Sequence, residues 1–349
     1  MIKSTRVFFK TAILIFIAQG LSHAEKAVFY HSDEDQGSDI RRVVINGKPA
    51  NPKEASFVAR ILMEKSAGIV TCTGSLIHPE WVLTAAHCFV DDEGQREKFS
   101  RIFLQFKNYS HREVYTLDEV IVHEGYTSAS EAAHFDLALV RLDRPVSKFQ
   151  PIAFGGKSLP LSGGQTLRAY GYGRMFKAGE ENGRDAMAKN LMTVDVELLE
   201  RRTALTWLSE LVTDKEDEEE DSTEKKSPLG KFFSKLKKMV LGDVSESFVD
   251  VLEKRTPKAL LFVGSETESK GTCGGDSGGP LVAIVGDEPV LVGALNSTYG
   301  GCATPKTPTI YVDLRKQADW IQEQLGSSNM IRRLKFEQPE NIGYQGIEI

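Results

Sequence analysis

Short apolar runs separated by polar turn residues dominate the chain from Val43 onward. Gly, Pro, Asn and Asp separate the runs, and the lengths and spacing of the runs are typical of β-strands. Representative runs are residues 75–77, 81–83, 101–106, 120–122, 137–140 and 281–285. This pattern predicts an all-β sandwich or barrel.

The strand pattern is interrupted at about residues 198–260. Residues 198–212 show a helical spacing of Leu, Trp and Ala, and residues 214–224 follow with eight acidic residues among eleven. Residues 231–241 are basic and amphipathic, and residues 248–252 predict a further helix. We therefore expect a partly helical, charged insertion with a solvated acidic linker.

Two segments precede the strand pattern. Residues 1–24 combine basic residues, an apolar run over residues 11–21 and the small residues of Ser22-His23-Ala24, which together predict a secretory signal peptide. A membrane anchor and a buried helix are the alternatives, although the apolar run is short for a membrane span. Residues 25–42 are rich in Asp, Glu, Ser and His and have little to bury, which indicates a pro-segment or a flexible arm.

Composition and cysteine usage narrow the class of protein. A net charge of −6 on 349 residues argues against a nucleic-acid binder driven by bulk charge. Export implies an oxidising compartment, where four cysteines allow three pairings; the pairing of sequence neighbours, Cys72–Cys88 and Cys273–Cys302, is the simplest. The sequence contains no CxxC motif and no His/Cys cluster of the kind that binds zinc, and we expect no metal and no organic cofactor.

Three segments contain side chains suited to nucleophilic catalysis. They are residues 83–88 (LTAAHC), 135–139 (FDLAL) and 274–280 (GGDSGGP), which contain His87, Asp136 and Ser277. A serine hydroxyl needs an adjacent base, and imidazole suits that task because its pKa lies near the working pH. A buried carboxylate fixes the imidazole tautomer, and a Gly-rich loop lets backbone N–H groups approach an oxyanion. Each segment alone has an ordinary structural explanation, but together they predict a Ser-His-Asp site.

These motifs resemble those of the trypsin/chymotrypsin family of serine proteases (peptidase family S1), which is itself the reference example of this triad. The resemblance covers most of residues 44–325 apart from the insertion. It implies an all-β fold, a double antiparallel six-stranded β-barrel with the site in the cleft between barrels. It also implies a C-terminal helix at residues 318–325, which the sequence ends at Gly326.

The resemblance implies a role for each site residue. His87 is the general base and then the general acid, Asp136 orients it, and Ser277 is the nucleophile. The N–H groups of Gly275 and Ser277 are the expected oxyanion donors. The resemblance therefore implies that the protein is a secreted serine endopeptidase, extracellular or periplasmic, and that it is made as a zymogen.

The domain boundaries expected on this basis are a signal peptide at 1–24, a pro-segment at 25–43, a peptidase domain at 44–325 and a C-terminal extension at 326–349.

The family also commonly has two of the disulfides that the cysteine spacing allows. They correspond here to Cys72–Cys88, beside the catalytic His, and Cys273–Cys302, which braces the catalytic loop and the specificity pocket. A third family bridge is absent, and Val263 lies about where one of its cysteines would fall.

Zymogen activation in the family frees an apolar N-terminus whose ammonium pairs with the Asp beside the catalytic Ser. The best register frees Val44 by cleavage after Val43 and pairs it with Asp276. Arg41-Arg42 lies one residue earlier and would suit a trypsin-like activator, so the sequence does not decide which bond is cleaved. The alternative is that residues 43–45 form an ordinary first strand.

The expected specificity pocket contains Gly271, Thr298 and Thr309. Gly271 stands where a trypsin-like enzyme has Asp, and Thr309 replaces a glycine of the pocket wall, which predicts an elastase-like preference for small residues. If Thr309 points away, the pocket stays open. The segment 294–302 lacks the family's Ser-Trp-Gly run, and either Asn296 or Ser297 could take the place of the serine that supports the catalytic Asp.

Expected partners are protein or peptide substrates and an inhibitor, with no nucleic acid. The insertion is a solvated decoration, an exosite for protein substrates, or a basic patch that touches membranes, and only loosely fits the last. The main rival function is a catalytically silent binding protein on the same scaffold. An esterase is a weaker rival, because His87 precedes Ser277 in the chain whereas esterases have the order Ser, acid, His.

Overall fold

Strands account for most of the regular secondary structure in the region that the structure describes. The computed structural model describes residues 45–65, 68–91, 95–99, 101–107, 112–127, 134–175, 186–188, 190–214, 247–298, 302–326 and 333–334. Its strands are β1 (Lys48–Pro49), β2 (Val58–Lys65), β3 (Gly68–His78), β4 (Trp81–Thr84), β5 (Arg101–Lys107), β6 (Arg112–Val122), β7 (Ala138–Leu142), β8 (Ala153–Gly155), β9 (Thr166–Gly171), β10 (Arg174–Met175), β11 (Ala186–Met187), β12 (Met192–Leu198), β13 (Leu260–Gly264), β14 (Pro280–Val285), β15 (Glu288–Thr298), β16 (Thr309–Asp313) and β17 (Arg333–Leu334). Its helices are α1 (Arg201–Asp214), α2 (Phe248–Arg255) and α3 (Leu314–Leu325), and a 3-10 turn spans Ala86–Cys88.

The first six-stranded barrel closes in the order β2-β3-β4-β7-β6-β5. Strand β2 shows how the sequence builds it: Ile61 and Met63 are fully buried and alternate with the less buried Arg60, Leu62 and Glu64. Because successive side chains of a strand point to opposite faces, one row fills the barrel and the other lies outside it. Arg60 therefore lies on the outer face of the barrel.

The second barrel runs β14-β9-β12-β13-β16-β15 and is closed by antiparallel pairing of β14 with β15. The expected double antiparallel six-stranded barrel is therefore confirmed. Three short strands extend this sheet and were not predicted: β8 lies parallel to β15, β17 lies parallel to β8, and β1 pairs with β12.

The described part of the insertion consists of α1 and α2, which pack against β13 beside the second barrel. Arg201 ties the two helices together, since its Nε contacts Glu253 Oε1 at 3.1 Å and its Nη2 donates to Thr256 O at 2.6 Å. The helix predicted from residue 198 begins at Arg201, because Leu198 ends strand β12. A separate apolar core joins helices to sheet, formed by Ala204, Leu205, Leu208, Leu252, Leu260, Phe262 and Ile310.

Helix α3 is confirmed and begins four residues before the predicted start. Asp313 caps it by accepting from Arg315 N at 3.1 Å, and Gly326, with φ of 69°, ends it. The helix reaches the first barrel, because Gln317 Nε2 donates to His134 O at 2.9 Å and Trp320 Nε1 donates to Glu124 Oε2 at 2.8 Å. Among the described helices, none is long and apolar enough to cross a membrane.

Several predicted segments fall outside the described residues. They are the signal peptide, the pro-segment with Val44, the acidic run beyond Asp214, the basic segment 231–241, residues 299–301, and most of the C-terminal extension.

Candidate active site

His87 and Asp136 are brought together by the pairing of β4 with β7. His87 lies in the turn that follows β4, Asp136 lies two residues before β7, and Thr84 pairs with Ala138 across the ladder. Asp136 is 2% exposed. One carboxylate oxygen accepts the His87 backbone N–H at 2.9 Å, and the other lies 2.7 Å from His87 Nδ1. Bonding at both oxygens fixes the carboxylate, and a proton on Nδ1 leaves Nε2 as the basic nitrogen.

The electrostatic environment of His87 favours its charged form. Burial alone would lower the pKa of His87, but the charge of Asp136 and the hydrogen bond to it outweigh burial and raise the pKa above 6.5. An imidazole in this setting is a stronger base than a solvated one, and the imidazolium formed by proton uptake is stabilised.

Asn296 supports the same carboxylate from the second barrel. Its Nδ2 donates to Asp136 Oδ2 at 2.9 Å, and Ser297 Oγ donates in turn to Asn296 Oδ1 at 2.7 Å. A β-bulge between Leu295 and Ser297 takes Asn296 out of the β15–β16 ladder. Of the two candidates for this support, Asn296 is therefore the residue in contact with Asp136.

Ser277 lies in a glycine-rich loop that packs against the His87 segment. Ser277 is partly exposed, whereas the three residues that follow it are buried. Gly278 has φ of 75°, and a Cβ there would overlap Thr84 Oγ1 and lie 2.5 Å from Ala85 N. Only glycine allows this approach, which brings the Ser277 loop against the backbone two residues before His87.

Asp276 is fully buried beneath this loop. Its Oδ1 accepts from Gly173 N at 2.6 Å and its Oδ2 accepts from Cys273 N at 2.9 Å. Burial raises the pKa of Asp276 to about 6, although the two backbone donors favour the ionised form. No cation pairs with Asp276 among the described residues. Ile45, the first described residue, accepts from Gly271 N at 3.2 Å.

The structure contains the two disulfides that the resemblance implied. Cys72 is bonded to Cys88, and Cys273 to Cys302, with S–S distances of 2.01 and 2.09 Å. The first joins strand β3 to the turn that contains His87, and the second joins the start of the Ser277 loop to the segment before β16. Within the described ranges, no cluster of His, Cys, Asp and Glu could hold a metal ion.

Comparison with known proteins assigns the chain to a family. The family model described as Trypsin matches residues 44–220 and 232–321, more than half of the chain. The chain belongs to the trypsin family. Similar relatives include a tryptase of Mus musculus, 27% identical over 286 residues that cover 80% of this chain and 88% of the relative.

Two further relatives are much longer than the region they share with this chain. The suppressor of tumorigenicity 14 protein homolog of Bos taurus is 25% identical over 73% of this chain and 25% of the relative. The urokinase-type plasminogen activator of Gallus gallus is 24% identical over 81% of this chain and 58% of the relative. The chain therefore spans most of the tryptase but a smaller part of these two. Its family makes it a serine endopeptidase.

The predicted pocket residues of this trypsin-family domain lie together between β15, β16 and the segment before the Ser277 loop. Thr298 and Thr309 are partners across the β15–β16 ladder. A Cβ on Gly271 would lie 3.7 Å from Thr309 Oγ1 and 3.1 Å from the Cβ of Ala303. Thr309 therefore faces Gly271. Sequence reasoning missed Ala303, which lies beside Gly271 only because the chain turns there with φ of 52°.

Thr73, on the outer face of β3, is a further contact that sequence reasoning missed. Its hydroxyl donates to Gly275 O at 3.1 Å and lies 3.4 Å from Tyr172 N, while its backbone N–H donates to Ser277 O at 2.8 Å. Thr73 is completely buried. A first-barrel residue thus holds two carbonyl groups of the Ser277 loop, and no sequence signal distinguishes it from other outward-facing threonines.

Proposed function

We propose that this trypsin-family chain is a secreted serine endopeptidase that uses His87, Asp136 and Ser277 in an acyl-enzyme mechanism. The observation that carries the proposal is the short contact of His87 Nδ1 with the buried carboxylate of Asp136, 2.7 Å long, beside the Ser277 loop. The comparisons support the reaction class, and the geometry supports the assignment of roles.

His87 takes up one proton and gives one up in each half of the reaction. Ser277 Oγ attacks the peptide carbonyl carbon while His87 Nε2 takes the hydroxyl proton, and Asp136 stabilises the imidazolium. The N–H groups of Gly275 and Ser277 donate to the oxyanion. Collapse breaks the C–N bond, and His87 gives its proton to the departing amine. Water then attacks the acyl carbon while His87 takes one of its protons; the ester C–O bond breaks, and His87 returns the proton to Ser277 Oγ as the acid leaves.

The pocket supports a preference for small aliphatic residues before the scissile bond. Gly271 offers no charge to a basic side chain, and the facing Thr309 occupies space that a glycine would leave open. Discrimination by one methylene in an apolar pocket amounts to about 1–3 kcal/mol, so we expect a graded preference.

The buried carboxyl group of Asp276 supports the proposal that the protein is made as a precursor. A carboxylate without a cation in a fully buried site is costly, and an ammonium would relieve that cost. Cleavage after Val43 would free the Val44 ammonium one residue before Ile45, whose carbonyl bonds Gly271 beside the catalytic loop. Export through a signal peptide at residues 1–24 would place the mature protein, residues 44–349, outside the cytoplasm.

Labelling with a fluorophosphonate probe tests the nucleophile. Protein processed to begin at Val44 should be labelled at Ser277, and Ser277→Ala should not. Cleavage of a peptide library after Ala, Val or Thr would support the narrow pocket, whereas cleavage after Lys or Arg would refute the pocket argument alone. A folded protein with a free Val44 that is not labelled would favour the binding-scaffold alternative.

A further inference from the structure

Arg60 projects from the outer face of the first barrel beside the catalytic loop. Across the β2 ladders its partners are Thr73 on one side and Gln105 on the other. Side chains directly opposite each other in a sheet share a face and lie close together. Since the Thr73 hydroxyl touches Gly275 O, Arg60 is one strand away from the expected oxyanion site.

The Arg60 guanidinium packs on Tyr172 of the second barrel, with Cζ 5.7 Å from the ring centroid. Its Nε is buried and has no hydrogen-bond partner among the described residues, and the same holds for the Tyr172 hydroxyl. None of the carboxylates in the described residues forms a salt bridge with Arg60. Burial lowers the pKa of Arg60, yet arginine stays charged at neutral pH. Burial also raises the pKa of Tyr172 to about 12, so its hydroxyl stays a donor.

A second arginine adds to the positive charge. With the Gln105 amide oriented to satisfy its neighbours, its carbonyl accepts from Arg112 Nη2 at 2.8 Å. Arg112 is exposed, and its charge acts against the charged form of Arg60. Two neighbouring cations and a buried phenol therefore present hydrogen-bond donors, and no acid of the described residues pairs with Arg60, whereas buried charges in proteins are normally paired.

The position of Arg60, Arg112 and Tyr172 relative to the specificity pocket indicates which part of a peptide substrate could reach them. The pocket residues Gly271, Thr298 and Thr309 belong to the second barrel and would take the side chain before the scissile bond. The chain beyond that bond leaves Ser277 in the opposite direction. Thr73 and Arg60 belong instead to the first barrel, and Thr73 contacts the Ser277 loop at the Gly275 carbonyl.

We propose that Arg60, with Arg112 and the Tyr172 hydroxyl, forms a subsite for a carboxylate side chain on the leaving half of the peptide substrate. The inference rests on the proposed endopeptidase function and specifies its substrates. Arg60 supplies a half-buried charge, Tyr172 a neutral donor, and Arg112 a second cation at the exposed edge.

Matched quenched-fluorescent peptides test this subsite on the full chain processed to begin at Val44. The peptides carry the best-cleaved residue before the scissile bond and either Glu or Gln at each of the next three positions. A charge-assisted hydrogen bond of the usual strength gives a Glu-to-Gln ratio in kcat/KM of about tenfold or more at one position. Arg60→Gln should bring that ratio close to one, and Arg112→Gln should lower it partly. Arg255→Gln, an exposed arginine on α2, is the control with the same charge change and should keep the ratio.

Two results would overturn the proposal. One is a Glu-to-Gln ratio near one at all three positions in an enzyme that cleaves both peptides. The other is an acid preference that Arg60→Gln leaves intact. Failure of fluorophosphonate labelling, by contrast, would count against the proposed endopeptidase function itself.

Discussion

Replacement of Thr73 by Val tests whether the first barrel positions the oxyanion donors. The change keeps the shape of the side chain and removes the hydroxyl that donates to Gly275 O at 3.1 Å. Gly275 has φ of 95°, one of several conformations open to glycine, so contacts such as the one with Thr73 select it, and its own N–H is an expected oxyanion donor. Without the Thr73 hydroxyl, we expect the loop to sample orientations in which that N–H is misdirected.

The expected magnitude follows from the cost of an unsatisfied carbonyl. Leaving a buried acceptor without a donor costs about 1–3 kcal/mol. Gly275 is only partly buried, so water can replace part of the lost bond, and the lower end of that range applies. Since about 1.4 kcal/mol corresponds to a tenfold rate, Thr73→Val should lower kcat about tenfold with little change in KM. Loss of a whole oxyanion donor, about 100-fold or more, is the upper bound.

Steady-state kinetics on one peptide, together with thermal unfolding, separates positioning from stability. Thr73→Ser retains the hydroxyl and should restore most of kcat. Thr193→Val is the matched control, because it removes another buried hydroxyl that donates to a backbone carbonyl, Ala169 O at 3.0 Å, away from the catalytic loop. A Thr73→Val enzyme with normal kcat and a Tm lowered as in Thr193→Val would refute the positioning role.

Three further predictions concern the acid–base pair, the buried Asp and the pocket. Asn296→Ala removes a hydrogen-bond donor to Asp136, so the carboxylate stabilises protonated His87 more strongly and the pKa of His87 rises further above 6.5. Because His87 must be neutral to act as a base, the acid limb of the plot of kcat/KM against pH should move to higher pH. Because the pKa of Asp276 rises from 3.8 to about 6 on folding, the folded state binds the extra proton, and stability should fall by roughly 3 kcal/mol as pH rises across that window. Asp276→Asn should abolish this slope in unfolding experiments on uncleaved protein, and an unchanged slope would contradict it. Thr309→Gly should extend cleavage to Leu and Phe in a peptide library, whereas an unchanged profile would show that Thr309 does not limit the pocket.

The all-β class could be predicted from local strand patterns, whereas the double six-stranded barrel and the pairing of His87 with Asp136 were predicted from the resemblance of three motifs to a family. Alternation of buried and outward residues in a strand such as β2 is visible in the sequence. The segments around these two residues form recognisable motifs at strand ends, and the ladder between β4 and β7 then brings them together. Neighbouring cysteines and a capped helix end are equally local.

The contacts between barrels could not be predicted, because sequence does not show which outward residue meets the other barrel. Thr73 and Arg60 look like ordinary outward positions until the second barrel is in place. The choice between Asn296 and Ser297 depended on a one-residue bulge, which reverses the face of every later side chain. Parallel addition of β8 to the second sheet likewise joins segments far apart in sequence.

In the proposed mechanism, the parts of the molecule that perform the reaction differ from those that select the substrate. His87 and Ser277 are held by turns and loops at the ends of strands, where a shift of one residue would break the site. Thr309 and Arg60 instead lie within ladders whose backbone bonds do not depend on their side chains. A side chain can therefore change at these ladder positions while the strands that position His87 and Ser277 keep their register. Substrate preference on both sides of the scissile bond can consequently differ from that of other trypsin-family enzymes without altering the chemistry.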